Sequence, residues 1–326
     1  MHPIHRSDGA AAKNQGGLTD TPMKIITSGA PFIDIDAYAC IVAYQELLQQ
    51  LGEEAVGVST SLLNESITPS LRALPTQLQT AYQLQADDQY VVADVSNPDD
   101  FDPIVQPERV VAIFDHHTGF ETEWREKLGD NCHIEFIGTA GTLIYEQWAK
   151  AGRQDQMSAA SAQLLAAAIL DNTLNFNADV TTQRDRDAYS FLATHAQLPS
   201  TWAASYFKEC EQSIVADLAA AIRNDKKYFR REGLDKELAM GQLALWDARG
   251  ILAHDLATFG SVLRTPDKLW LVNLMSIAEG KSYFISDCPE VHAWLQKLTG
   301  AIFHEQVAGM DRLWLRKEII KAAQKR

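Results

Sequence analysis

The sequence predicts an α/β protein: a doubly wound, mostly parallel sheet, followed by a second, smaller α/β domain. Short apolar runs that end in carboxylates alternate with helical patterns, as parallel sheets require. Residues 24–27 lead through a Gly/Pro turn to Asp34-Ile35-Asp36, residues 90–93 lead to Asp94, and residues 110–113 lead to Phe114-Asp115-His116-His117. Near residue 200 the pattern turns helical, and new strand-like runs begin beyond Lys226.

Each element follows from local pattern. Residues 1–22 are rich in Gly, Ala, Asp, Asn and Thr and read as a flexible extension, with His2 and His5 as tail residues. Residues 37–51 read as an amphipathic helix, with Ile41, Tyr44, Leu47, Leu48 and Leu51 at helical spacing and Gly52 beyond the end. Residues 56–58 suggest a short strand, and a polar, Pro-punctuated stretch runs on to about Asp88. The third strand ends at Asp94 and the fourth at Asp115. Gly138 to Thr142 open a helix that runs to about Ala151, and residues 158–170 form another that feeds Asp171. Beyond the helical stretch 198–223, residues 238–245 and 269–275 read as strands, 289–298 as a helix, and 313–317 as a strand or helix start. The expected organisation is an extension (1–22), a first domain (23–200) and a second domain (201–326).

Composition narrows the function. With 46% apolar residues the chain has material for folded cores, and a formal charge of −14 argues against a basic nucleic-acid stripe. Cys40, Cys132, Cys210 and Cys288 lie singly, without zinc-ribbon or redox spacing, and read as reduced structural residues. No run is long and apolar enough to span a bilayer and the N-terminus lacks a secretory apolar core, so a cytoplasmic location is expected.

The strand-end residues carry the chemistry. Ligands of open parallel sheets bind outside the strand carboxyl ends. Gathering several carboxylates there costs on the order of several kcal/mol per unpaired ion unless cations compensate, and divalent metal is the simplest compensation.

The order Asp-x-Asp, Asp, Asp-His-His, Asp resembles the DHH phosphoesterases, and the tail resembles the DHHA2 domain of family II inorganic pyrophosphatases and related exopolyphosphatases. The segment Leu170-Asp171-Asn172-Thr173-Leu174-Asn175-Phe176, followed by Thr182 and Asp185, is similar to the pyrophosphatases in particular. The resemblance implies two metals bridged by Asp94, usually manganese, magnesium or cobalt. One would be held by Asp36, Asp94, His116 and Asp171. The other would take Asp34, Asp94 and a histidine at a position occupied here by Ala30. Loss of that imidazole tilts the second site toward magnesium or a more hydrated ion.

Further roles are implied by the same resemblance. Asp115 would orient a neighbouring histidine, and His117 would donate to phosphate or the leaving group. Lys227, Arg316 and Lys317 would bind substrate phosphate, with Lys226 competing for the place of Lys227. Glu318 and Ile319 stand where the family has Lys and Gln, which makes the anion pocket less basic. Gly138 to Thr142 admit two readings, amides lent to a phosphate or close packing of small residues. His133, His254, His292 and His304 are read as structural.

The leading expectation is a metal-dependent hydrolase of pyrophosphate or short polyphosphate. The alternatives are a nucleotide phosphoesterase or exonuclease of the same superfamily, and a weakened metal- and phosphate-binding regulator. The resemblance leaves a homodimer open, because such pyrophosphatases can pair through an edge strand of the first domain.

Overall fold

The computed structural model describes residues 22–230 and 233–324. The extension expected over residues 1–22, with His2 and His5, lies outside the described residues except for Pro22. The first half runs β1 (Lys24–Thr27), β2 (Phe32–Ile33), α1 (Ile35–Gln50), β3 (Ala55–Gly57), β4 (Leu62–Leu63), α2 (Pro69–Arg72), β5 (Gln89–Ala93), β6 (Val110–Asp115) and α3 (Glu121–Leu128). It continues through β7 (Cys132–Ile134), α4 (Ala140–Lys150), α5 (Ala159–Thr173) and α6 (Gln183–His195).

β1, β3, β5, β6 and β7 form a parallel sheet in the order β3-β1-β5-β6-β7. From β1 the chain steps one way to β3 and then the other way to β5, so the strand order reverses between β1 and β5. Such a switch point opens a crevice at the strand carboxyl ends. Asp34 and Asp36 follow β1 and Asp94 follows β5, which places all three beside that crevice.

Alternate strand residues feed two cores. Ile26, Val91 and Ala93 face the layer built from α1, α4, α5 and α6, while Ile25, Tyr90 and Val92 pack with Trp124 of α3 and Phe101. The helix α1 differs from expectation: it is not amphipathic, because residues 35–43 are buried on every side. It lies between the sheet and α4 and α5, and small residues on both helices, Ala39, Ala43, Ala162 and Ala166 among them, allow close approach. Leu51 falls beyond the helix end and is 46% exposed.

A capping box starts α6: the Thr182 hydroxyl accepts from the Asp185 amide, and Asp185 accepts the Thr182 amide at 2.8 Å. Thr182→Ala is expected to cost about 0.5–2 kcal/mol. Urea titration reads this as a lower midpoint, and an unmoved midpoint would show that the cap contributes nothing.

The second half runs α7 (Trp202–Ala216), α8 (Leu218–Asp225), β8 (Lys227–Phe229), β9 (Glu237–Leu245), α9 (Arg249–His254), α10 (Leu256–Leu263), β10 (Lys268–Ser276), β11 (Lys281–Ile285), α11 (Pro289–Thr299), β12 (Val307–Met310) and α12 (Arg316–Gln324). Its sheet, ordered β12-β11-β10-β9-β8, is mixed: β9 and β10 are parallel and the other neighbours antiparallel. One face packs against α8 to α10 through Trp270, Val272 and Leu274, and the other against α11 and α12 through Met240, Leu271 and Phe284. The segment around 313–317 resolves as a helix start at Arg316.

The two halves touch extensively. Tyr206, Phe207 and Cys210 of α7 lie in the first core, and Ile214 of the same helix lies in the second. Met275, Ile277, Leu313 and Leu315 from the second half also enter the first core. Arg312 pairs with Asp179 at 2.7 Å, and the Lys321 ammonium sits 3.2 Å from the Phe136 ring centroid.

Candidate metal centre

The Asp-x-Asp segment acts first on the backbone. Asp34 is the N-cap of α1, and its Oδ1 accepts the amides of Asp36 at 3.0 Å and Ala37 at 3.1 Å. The cap turns Asp36 into the first turn of the helix, where the positive end of the helix dipole favours a carboxylate. Asp36 is fully buried and accepts the amides of Ala140 at 3.0 Å and Gly141 at 2.8 Å. Those amides open α4, so they are spent on Asp36 and not on a phosphate. A Cβ at Gly141 would stand 3.3 Å from Asp36 Oδ1 and 3.3 Å from the Ala168 side chain, which explains the small residue there.

Asp94 directly follows β5 with φ of +61°, a left-handed conformation that a non-glycine residue adopts at a cost. Its amide donates to the Phe114 carbonyl at 2.7 Å, locking this bend against the next strand. His116 Nε2 lies 3.2 Å from Asp94 Oδ1 and 3.7 Å from Asp36 Oδ2. His116 Nδ1 lies 2.9 Å from the Gly138 carbonyl. A carbonyl only accepts, so the proton is on Nδ1, and Nε2 presents a lone pair to the carboxylates.

That arrangement fits a cation. Asp94 Oδ1 is buried without a hydrogen-bond partner, and Nε2 of His116 aims electron density at it. Burial raises the Asp36 carboxyl to about 6, with Asp34 adding repulsion. Burial raises Asp171 to about 7, again with Asp34 as the next cause. Asp94 is pushed well above the carboxylate range by burial and then by Asp36 and Asp34. His116 is driven well below the usual imidazole value by burial and then by the Lys317 charge, which keeps it neutral as a ligand must be.

Ligand atoms of Asp94, His116 and His117 lie within 4.8 Å of one another. Asp171, in the last turn of α5, is close enough to feel Asp34 and Asp36, and its Oδ1 accepts the Tyr206 hydroxyl at 2.9 Å. Asp115 Oδ1 accepts both the His117 ring nitrogen Nδ1 at 2.9 Å and the His117 amide at 3.0 Å. That pair fixes the ring of His117, whose side chain is 42% exposed, and leaves Nε2 outside the pairing with Asp115.

The second half supplies cations unequally. Lys317 is half-buried, and its Nζ lies 3.2 Å from the Gly138 carbonyl and 3.3 Å from His116 Nδ1. Because Nδ1 already donates to that carbonyl, the two groups share it as acceptor. Lys227 is exposed on β8, and its charge acts on Asp94 and His116. Adjacent Lys226 lies instead 5.8 Å from the Tyr228 ring centroid. Arg316 is engaged elsewhere: its guanidinium meets Asp225 Oδ2 at 2.7 Å and the Asp225 carbonyl at 2.9 Å.

The two departures in the tail have structural partners. Glu318 accepts the Leu315 amide at 2.7 Å, and Ile319 is fully buried on the face of the second sheet that packs against α11 and α12. His133 stacks on Phe114 at 4.7 Å, and His292 stacks on Phe303 at 3.8 Å. Sequence reasoning missed Tyr206, Asp225 and the Gly138 carbonyl as neighbours of site residues. Asp225 opens the segment that carries Lys226 and Lys227, and Gly138 lay in a segment singled out beforehand. A Cβ there would stand 2.6 Å from Asp185, whose carboxylate accepts the Gly138 amide at 3.2 Å and the Thr142 hydroxyl at 2.7 Å.

No family model matches the chain. A probable manganese-dependent inorganic pyrophosphatase of Deinococcus radiodurans is 30% identical over 168 residues, 49% of this chain and 50% of that protein. The chain thus matches about half the length of this curated relative. Among solved structures, a Methanococcus jannaschii protein assigned to the family II inorganic pyrophosphatases aligns over 93% of this chain and all of its own, with a TM-score of 0.65 and 17% identity. An exopolyphosphatase-related protein from Bacteroides fragilis aligns over 93% of this chain and 91% of its own, with a TM-score of 0.48 and 12% identity. The expected resemblance to pyrophosphatases therefore holds: the chain is similar in sequence over about half its length to a probable manganese-dependent pyrophosphatase, and in fold over nearly all of it to a protein assigned to the family II pyrophosphatases.

Proposed function

We propose that the chain is a metal-dependent phosphohydrolase that cleaves the phosphoanhydride bond of inorganic pyrophosphate or short polyphosphate. The observation that carries this reading is the buried, unpartnered Asp94 oxygen facing the His116 lone pair among raised-pKa carboxylates. Asp36, Asp94, His116 and Asp171 would hold one divalent cation, and Asp34 and Asp94 a second with more water in its shell. Manganese or magnesium suits this oxygen-rich donor set with one imidazole, and cobalt is a third candidate. Bound there, the cations would lower the pKa of a water and neutralise phosphate oxygens.

The remaining work falls to the chain itself. Asp115 accepts the His117 Nδ1 proton and so orients the ring, and with the ring charged as imidazolium its Nε2 can donate a proton to a phosphate or leaving-group oxygen. Lys317 and Lys227 bring positive charge from the second half to the crevice. Leu313 and Leu315, packed into the first core, fix that half against the first. Phosphoryl transfer needs mainly this positioning and charge compensation, so no side-chain nucleophile is required.

The test is phosphate release by chelator-treated protein re-supplied with manganese, magnesium or cobalt. Pyrophosphate, tripolyphosphate, long polyphosphate and adenosine 3′,5′-bisphosphate are offered in parallel. Multiple turnovers on the first two are expected. Turnover confined to the bisphosphate would assign a nucleotide phosphoesterase, and metal-dependent ligand binding without turnover a regulator.

A further inference from the structure

We infer that Tyr206 is a positioning residue for the metal centre: it holds Asp171 in place from the helix that joins the two halves, so that metal binding and the order of that helix depend on each other. The inference rests on the reading of Asp171 as a metal ligand. It assigns to Tyr206 a role that the motifs do not suggest, since this residue lies 35 positions from its partner.

Three observations carry it. The first is the contact itself: Tyr206, only 2% exposed, donates its hydroxyl to Asp171 Oδ1 at 2.9 Å. The Ser66 carbonyl lies 3.1 Å from the same hydroxyl, and Cys210, one turn along α7, also borders it. A phenol has one hydrogen, and among a carbonyl, a thiol and a carboxylate the ionised carboxylate is the strongest acceptor. The hydroxyl is therefore drawn to Asp171 when Asp171 is charged, as a ligand must be, and that bond fixes which oxygen is left for a cation.

The second observation is that Asp171 needs such a support. It lies in the last turn of α5, and residues 174–176 that follow all have positive φ, so the chain turns away immediately after it. Asp36 has two backbone amides to orient it and Asp34 likewise has two. For Asp171, the Tyr206 hydroxyl is the side-chain hydrogen bond seen to orient the carboxylate among the described residues. The third observation is the position of Tyr206 in the fold. Its ring packs in the first core against Phe207 and Trp202, with centroids 5.1 and 5.9 Å away, whereas Ile214 two turns later belongs to the core of the second half. A change in the tilt of α7 against the first half would move the hydroxyl off Asp171.

Tyr206→Phe removes one oxygen and keeps the ring, so the packing of α7 is preserved. Partners that orient a ligand typically change metal affinity by about 10–100-fold when removed. Manganese binding, followed by titration calorimetry and by the loss of the free-ion electron spin resonance signal, is expected to weaken by that factor in Tyr206→Phe. Asp171→Asn is expected to weaken it at least as much, and the double variant no more than Asp171→Asn alone. Hydrogen exchange gives a second readout: manganese should slow amide exchange in the first two turns of α7 in the wild-type protein, and this protection should be lost in Tyr206→Phe. Manganese affinity and α7 protection both unchanged in Tyr206→Phe, while Asp171→Asn loses binding, would overturn the inference and leave the metal centre standing. Unchanged binding in Asp171→Asn would remove the ligand on which both rest.

Discussion

Asp94→Asn is expected to lower phosphate release by ~10²–10³-fold, the scale seen when a charge-stabilising group is removed from a preorganised site, while raising the stability of the metal-free protein. The two effects have one cause. Asp94 is buried, its Oδ1 lacks a hydrogen-bond partner, and its ionisation is opposed by burial and then by Asp36 and Asp34. Without a cation the carboxylate is a cost to the fold, and a cation bound there would compensate it. An amide of the same shape has no charge to desolvate, so the metal-free protein should melt higher, by roughly 2–4 °C for each kcal/mol relieved. Phosphate release and thermal melting in chelator, run on the same preparation, check both halves. Retained turnover would sink the metal reading. Lost turnover with lower metal-free stability would show that Asp94 is a structural residue.

Metal-free protein is expected to lose stability as pH rises from about 4 to about 7, and divalent cation should reverse the loss. Asp36 and Asp171 have folded-state values of about 6 and about 7, above the ordinary carboxyl value, and burial is the main cause for both. Between the ordinary value and the raised one, the folded protein keeps protons that the unfolded chain has released. Stability therefore falls as pH climbs through that window. His116 works the other way: its lowered value means that the unfolded chain binds a proton below about 6.5 which the folded state refuses, so its contribution rises with pH. The carboxylates outnumber this imidazole, and the net loss is on the order of a few kcal/mol at about 1.4 kcal/mol per pKa unit. Melts in chelator at pH 5 and pH 7.5, for wild type and Asp171→Asn, isolate the contribution. The variant should show the shallower decline, and manganese should stabilise the wild type more at pH 7.5 than at pH 5. A wild-type decline no steeper than that of the variant would show that Asp171 is not held in a raised state.

Much of the first sheet was legible from local pattern. Residues 24–27, 90–93 and 110–113 are short apolar runs with polar ends, and a strand buried on both faces leaves that signature without help from distant parts of the chain. Other elements gave no such signal. The strands Lys281–Ile285 and Val307–Met310 carry Lys, Ser and Gly between their apolar residues, and they are strands because β10 and then β11 offer them hydrogen bonds. Helical spacing located α1 but not its burial, since an amphipathic count cannot register Ala-rich neighbours closing over the second face.

What the sequence determined by itself is the order of carboxylates and imidazoles along the strand ends, and hence the parallel sheet, the crevice beside Asp34, Asp36 and Asp94, and the resemblance to pyrophosphatases. These depend on periodicity and on residues a few positions apart. Only the tertiary structure decided how the cations and supports are used. Arg316 is matched to Asp225 across 91 residues, Lys317 to the Gly138 carbonyl across 179, and Tyr206 to Asp171 across 35. The physical reason is that a local pattern records whether a residue is apolar or charged. Which partner desolvates, neutralises or orients that charge is set by the packing of segments that the pattern does not connect.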